Sequence, residues 1–367
     1  MALGRAEAGK SESGVRAMAE NMADRKKAIL RAVTDDYIST AEPVGSRTIA
    51  RKYGLGVSSA TIRNEMADLE EEGYLEQPHV SAGRIPSDKG YRFYVDSLMP
   101  ERSLTGLEEK KIRAECAKRS DEIQSLIRAT AKVLGELSNC ASIVIGPGVK
   151  TAEIRHIQLV PFSSDSILVL VVTNAGLVEH KILSIEHEMN PVDLENMSRM
   201  LNHRLRGRSL SQMRGKVLRD ILSDLDAYAS FLEQMFELLL SAIRSSDENR
   251  VYVDGLMKLL GQPEFSEIER ARPILEFLES DDLVLTELSG SASRGLGGAQ
   301  VTIGSENTRE ELRECSVICA PYGIRGQVVG TIAVVGPTRI DYSLTIALVA
   351  HIAESLSDLL TRTQSIK

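Results

Sequence analysis

The sequence predicts an α+β protein of several domains, and three observations carry that prediction. Near the N-terminus, two short helical stretches are joined by a glycine-containing turn and followed by a hairpin pattern. Three closely spaced β segments lie between positions 154 and 183, and the final third mixes helical periods with apolar strands. At 367 residues and 43% hydrophobic content, the chain can fill two or three packed cores.

Residues 1–21 are rich in Ala, Gly, Ser and Glu without a sustained period, so 1–23 is expected to be a disordered tail, with Met22 a second candidate start. The first helix begins at Asp24 and runs to about Ser39, with Ile29, Ala32, Val33 and Tyr37 on one face. Pro43 biases Glu42 away from the helical region, which breaks the chain there. Residues 45–55 then form a short helix that stops at a glycine, and 57–69 a second helix with a serine N-cap. Two helices joined in this way are the helix-turn-helix signature, in which the second helix reads the major groove.

The faces of that second helix agree. At 100° per residue, Ile62, Met66 and Leu69 form an inward stripe, while Ala60, Thr61, Arg63, Asn64 and Ala67 face outward. Arginine pairs with guanine and asparagine with adenine, each contact giving about 1–3 kcal/mol of discrimination. The helix N-terminus at Ser58 and Ser59 can hold a phosphate, and Ser46 and Arg47 open the preceding helix. Glu70, Glu71 and Glu72 crowd the far end, so only the N-terminal half is expected to enter a groove. Residues 73–78 and 84–86 read as two short strands around a turn at 79–83, a wing whose His79, Ser81 and Arg84 can reach phosphate or the minor groove. Lys89 and Arg92 follow in an aromatic cluster (Tyr91, Phe93, Tyr94), either along a phosphate backbone or beside core packing. The alternative for the whole head, 24–100, is a winged module that binds only protein.

Beyond Pro100, residues 105–137 carry one long amphipathic period, with Ile112, Cys116, Ile123, Leu126, Ile127, Ala131 and Leu134 as buried positions. A strand is expected at 141–148. Segments 154–160, 167–173 and 177–183 form an antiparallel meander. The middle segment is apolar on both faces, so it needs cover on both sides, from its own helices and from a second subunit. Helices are expected at 191–205 and 225–244, with a basic, solvated helix end at 203–208. The last third reads as a helix (267–279), a strand (283–288), a Gly/Ser loop (289–298), three strands (300–304, 315–322, 330–337) and a closing helix (342–360) with Leu344, Leu348, Ile352, Leu356 and Leu359 on one side.

Other chemistry is poorly supported. The net charge of −8 argues against unselective coating of DNA, although a reader with locally placed basic residues remains compatible with it. Cys116, Cys140, Cys315 and Cys319 are too scattered for a disulfide framework, and Cys315 with Cys319 lacks the partners of a zinc site. The glycines at 295–298 lack the strand-to-helix setting of a phosphate loop. The six histidines are dispersed, and no nucleophile sits at suggestive spacing from a base. No enzyme activity, cofactor or metal is expected. No apolar run approaches a membrane span and no secretory signal is evident, so the expected compartment is the cytoplasm.

The head resembles the heat-inducible transcription repressors of the HrcA family. The residues that carry the resemblance are Asp36-Tyr37-Ile38, Glu42-Pro43-Val44-Gly45-Ser46, Ser59-Ala60-Thr61-Ile62-Arg63-Asn64-Glu65-Met66 and the long run Ser81-Ala82-Gly83-Arg84-Ile85-Pro86-Ser87-Asp88-Lys89-Gly90-Tyr91-Arg92. The likeness continues to the C-terminus. It implies a winged-helix head, a GAF-like antiparallel α/β body (101–151 and 251–367) and an inserted three-stranded sheet with helices (152–250) that forms a homodimer. It further implies binding to double-stranded DNA at an inverted repeat, the CIRCE operator of chaperone operons, and maintenance by the chaperonin GroE. The acidic charge and the N-terminal extension depart from the family without touching the motif residues. The rival reading is a regulator whose GAF-like body senses a small molecule.

Overall fold

The computed structural model describes residues 22–117, 123–147, 154–173, 178–185, 190–207, 250–292 and 296–365. The expected helix at 225–244, His187 and Gly295 lie outside these residues, as does the side chain of Cys116.

Three helices open the described part of the chain: α1 (Asp24–Thr40), α2 (Ser46–Lys52) and α3 (Ser59–Glu71). They pack around Ile29, Leu30 and Val33 of α1, Ile49 of α2, and Ile62, Met66 and Leu69 of α3. The helix α1 ends where Ala41 turns left-handed (φ 58°) and its N–H bonds the Tyr37 carbonyl. Met22, within the span 1–23 expected as a tail, is buried in the same core. A two-stranded hairpin follows, β1 (Leu75–Glu76) with β2 (Ile85–Pro86), and Val44 adds a bridge to Arg84 through reciprocal 2.9 Å backbone bonds. The short helix α4 (Asp88–Phe93) and a π turn (Tyr94–Leu98) then lead out of the head.

A five-stranded antiparallel sheet forms the largest core. Its order is β7 (Val251–Asp254), β3 (Ala141–Ile145), β10 (Gln327–Pro337), β9 (Cys315–Ile324) and β8 (Gln300–Ile303). The period of two sends Ile318, Ala320, Tyr322, Ile332 and Val334 to one face, where α6 (Ile123–Ser138) and α11 (Tyr342–Ser365) cover them. Val317, Cys319, Ala333 and Val335 go to the other, under α9 (Ile268–Glu279) and α10 (Asp281–Ala292). Both faces are thus filled by the chain's own side chains.

The structure departs from the sequence expectations at four places. Residues 105–137 do not form one rod: α5 (Gly106–Ala117) lies beside α6, and Lys111 reaches Glu136 at 2.7 Å. In a single helix those residues would stand about 37 Å apart. Residues 283–288 are helical within α10, because Val284 and Leu288, four apart, both bury against the sheet and Asp281 and Asp282 suit a helix N-terminus. The strand β7 and the short helix α8 (Leu256–Leu260) were not anticipated. Finally, part of α11, Tyr342–Arg362, is long and apolar enough by composition to cross a membrane, contrary to the expectation that no segment is. Leu348, Ile352, Leu356 and Leu360 of that helix pack into the sheet core, so its apolarity is accounted for internally.

The expected meander is present as β4 (Ile154–Ser163), β5 (Ser166–Thr173) and β6 (Val178–Ser184), all antiparallel. Ile157, Leu159, Ile167, Val169 and Leu183 are buried, as are Leu194, Met197, Leu201 and Leu205 of the adjoining helix α7 (Pro191–Leu205). α7 also closes the free edge of β4. Asn202 accepts the Ile157 N–H at 2.8 Å and donates back to its carbonyl, and Ser198 accepts the Leu159 N–H at 3.0 Å. This is a common way to blunt an edge strand. The opposite face presents Val160, Leu168, Leu170 and Val172, all partly exposed, and Ile182 at 49% exposure, interleaved with His156, Gln158 and His180.

Candidate nucleic-acid interface

The helix α3 begins at a side-chain cap. Ser58 Oγ accepts the Thr61 N–H at 3.1 Å and lies 2.9 Å from Thr61 Oγ1. Both hydroxyls are therefore committed to the first turn, which they hold in shape. Ile62, Met66 and Leu69 face the core as the periodicity predicts. Glu65 is also buried, and Arg25 of α1 neutralises it. Ala60, Arg63 and Asn64 are exposed, and neither Arg63 nor Asn64 bonds or ion-pairs with any described residue. Arg47 of α2 is likewise exposed. One turn on, Arg51 is exposed too; it was not singled out in the sequence, although its spacing of four from Arg47 places both on one face. Ser46 and Ser59 are partly exposed.

Removing the cap has a direct consequence. Ser58→Ala should cost about 0.5–2 kcal/mol by orphaning the Thr61 N–H. Urea unfolding should register this, and Ser58→Asp should restore most of it.

The hairpin loop is a preorganised turn. Ala82 N–H bonds the His79 carbonyl at 2.8 Å, and Gln77 Nε2 donates to the carbonyls of Val80 and Ala82 at 3.0 Å each. His79, Val80 and Ser81 project into solvent, Val80 at 98% exposure. Gln77 carries no periodic signal, so its role was not legible in the sequence.

Three basic residues expected on DNA are engaged elsewhere. Arg84 Nε donates to Glu70 Oε2 at 2.7 Å. Lys89 donates to the Glu72 carbonyl at 2.7 Å and sits 4.2 Å from the centre of the Tyr74 ring. Arg92 bonds Glu306 (Nε to Oε1, 2.7 Å), the Val301 carbonyl (2.7 Å) and Asp96. These contacts hold its guanidinium against Val301 of β8 and the turn that follows that strand. Asp88 accepts the Ser305 N–H at 2.8 Å from the same helix α4.

The run from Ser81 to Arg92 is consequently a joint. A side chain at Gly83 would strike the Val44 backbone, and one at Gly90 would strike the Tyr74 carbonyl. Ser87 caps α4 through the Gly90 N–H (3.1 Å) and donates to the Gly73 carbonyl (2.6 Å). Tyr91 is buried in the sheet core near Tyr342, and Tyr94 donates to Asp35 at 2.6 Å.

The family model for the HrcA protein C terminal domain matches residues 124–346. The heat-inducible transcription repressor HrcA of Moorella thermoacetica is 43% identical over 340 residues, covering 92% of this chain and 98% of that protein. The chain belongs to the HrcA family. The Desulfitobacterium hafniense member is 42% identical over 342 residues, covering 93% of this chain and 98% of that one. A solved structure described as a hypothetical protein, at 2.2 Å resolution, aligns with a TM-score of 0.61 at 26% identity, over 94% of this chain and 100% of that chain. The HrcA relatives are transcription repressors by name, not enzymes. Among the described residues there is no group of His, Cys, Asp and Glu able to hold a metal ion. Burial pushes the Cys140 thiol up to about 12 and raises Cys315 as well, so neither is a nucleophile near neutral pH.

Proposed function

We propose that this chain represses chaperone operons by binding an inverted-repeat operator of the CIRCE type as a dimer, and that heat releases it. The observation that carries the reading is the outward face of α3. A capped helix offers Arg63 and Asn64 to solvent without partners among the described residues, between a free Arg47 face and a preorganised wing. In this reading the head, 24–100, is a winged helix. Arg63 and Asn64 meet base edges, Arg47, Arg51 and Ser59 meet phosphate, and His79 and Ser81 meet the backbone or minor groove. Ser58 and Thr61 shape the start of α3, and Ser46 stands beside Arg47 in the first turn of α2. The work takes place in the cytoplasm.

The division of the rest follows the chain's exit from the large sheet. β3 and β7 are neighbours, and Gly146 N–H bonds the Arg250 carbonyl at 2.7 Å where the intervening segment leaves and returns. This supports a GAF-like body (101–151 and 251–367) interrupted by an insertion at 152–250. The second face of the β4–β6 sheet, where Val160, Leu168, Leu170, Val172 and Ile182 stand beside His156, Gln158 and His180, supports a two-fold dimer through that insertion. Filled faces on both sides of the large sheet favour repression governed by folding and by the chaperonin GroE over sensing of a small ligand.

Two experiments test the proposal. Fluorescence anisotropy with an inverted-repeat duplex and a scrambled duplex should give preference for the former, typically about 10³-fold or more for a specific site. Equal binding to both would refute it. In sedimentation, Ile182→Glu should shift the protein from dimer to monomer and weaken the operator complex, because a two-fold interface receives the uncompensated charge twice. A variant that stays dimeric would exclude this face.

A further inference from the structure

The wing arginine is engaged with a carboxylate that stands on the reading stripe itself. Counting from Arg63 at 100° per residue, Ala67 and Glu70 return to within about 40° of the same direction. Glu70 therefore lies on Arg63's side of α3, about 10 Å further along the axis, where the phosphates flanking an occupied groove would face it. Arg84 reaches it from the wing, with Nε and a terminal nitrogen both 2.7 Å from Oε2. Lys26 serves the same end of the helix, at 3.2 Å from Asp68 and 2.7 Å from Glu72. The wing does not depend on the Arg84 ion pair for its place, because the Arg84 backbone is bonded to Val44 in both directions and Gly83 packs on the Val44 backbone.

We infer that Arg84 is a positioning residue for DNA binding that acts through Glu70: it cancels a carboxylate that would otherwise repel phosphate beside the reading helix. The inference rests on the DNA-binding reading above. An uncompensated negative charge at this distance in a partly shielded setting should weaken operator binding about 5- to 20-fold.

The test compares wild type, Arg84→Gln, Glu70→Gln and the double variant as full-length proteins, on the inverted-repeat duplex and a scrambled one, with thermal melts to verify folding. Arg84→Gln should lose operator affinity by the stated factor, Glu70→Gln should bind at least as well as wild type, and the double variant should return to within about twofold of it. A double variant as weak as Arg84→Gln would overturn the inference in favour of a direct phosphate contact. Weakening by Glu70→Gln alone would overturn it in favour of a mechanical tether. Failure of wild type to prefer the operator would remove the DNA reading and this inference with it, an outcome distinct from the other two.

Discussion

Arg63→Ala should abolish discrimination between operator and scrambled DNA while leaving weak, salt-dependent binding in place. Arg63 is exposed near the capped end of α3 and makes no bond within the described chain, so its removal orphans nothing and should leave stability unchanged. A bidentate arginine–guanine contact contributes about 1–3 kcal/mol. In a two-fold complex that contact is lost at both half-sites, and the loss in affinity is compounded accordingly. The residual binding should keep most of its salt slope, because base contacts release few counterions. Anisotropy titrations at several salt concentrations check this. A parallel loss on operator and scrambled duplex would instead make Arg63 a phosphate contact.

Gly90→Ala should produce a large stability defect in the head. Its Cβ would fall inside contact distance of the Tyr74 carbonyl, a backbone atom that cannot rotate away. Either α4 shifts from β1 or the bond from Ser87 to the Gly73 carbonyl breaks. Overpacking of this kind costs about 1–3 kcal/mol, occasionally more. Because the next residue, Tyr91, is seated in the sheet core, the displacement should also turn the head relative to the sheet and reduce operator affinity. Urea unfolding and operator titration check the two effects together, and an unchanged midpoint would refute the steric argument.

What could be read from the sequence was local. The stripe of Ile62, Met66 and Leu69, the Ser58 cap and the antiparallel meander of β4–β6 depend on neighbours close in the chain, and each appears in the fold. The misreadings came from long-range partners. Arg92 is over two hundred positions from Glu306, so nothing local distinguishes a guanidinium awaiting phosphate from one anchored to a distant turn. The acceptors of Arg84 and Lys89, which belong to α3 and its cap, were likewise not legible from the local sequence. The 105–137 period was continuous even though the chain folds back, because α5 and α6 each need an apolar face. In 283–288, a short apolar run fits strand and helix equally well until the sheet beneath it selects the spacing of Val284 and Leu288. The family motif was recognisable as a string, but its glycines and charges prove to be joint-forming residues as much as surface ones.

Base-resolved footprinting of the full-length protein on an inverted-repeat operator would show whether α3 reads one groove in each half of a two-fold site. Two protected patches related by two-fold symmetry are expected, their centres about one helical turn or a multiple apart, with Arg63→Ala erasing protection of the same base in each. A single patch, or protection that ignores sequence and is unaffected by Arg63→Ala, would contradict that reading.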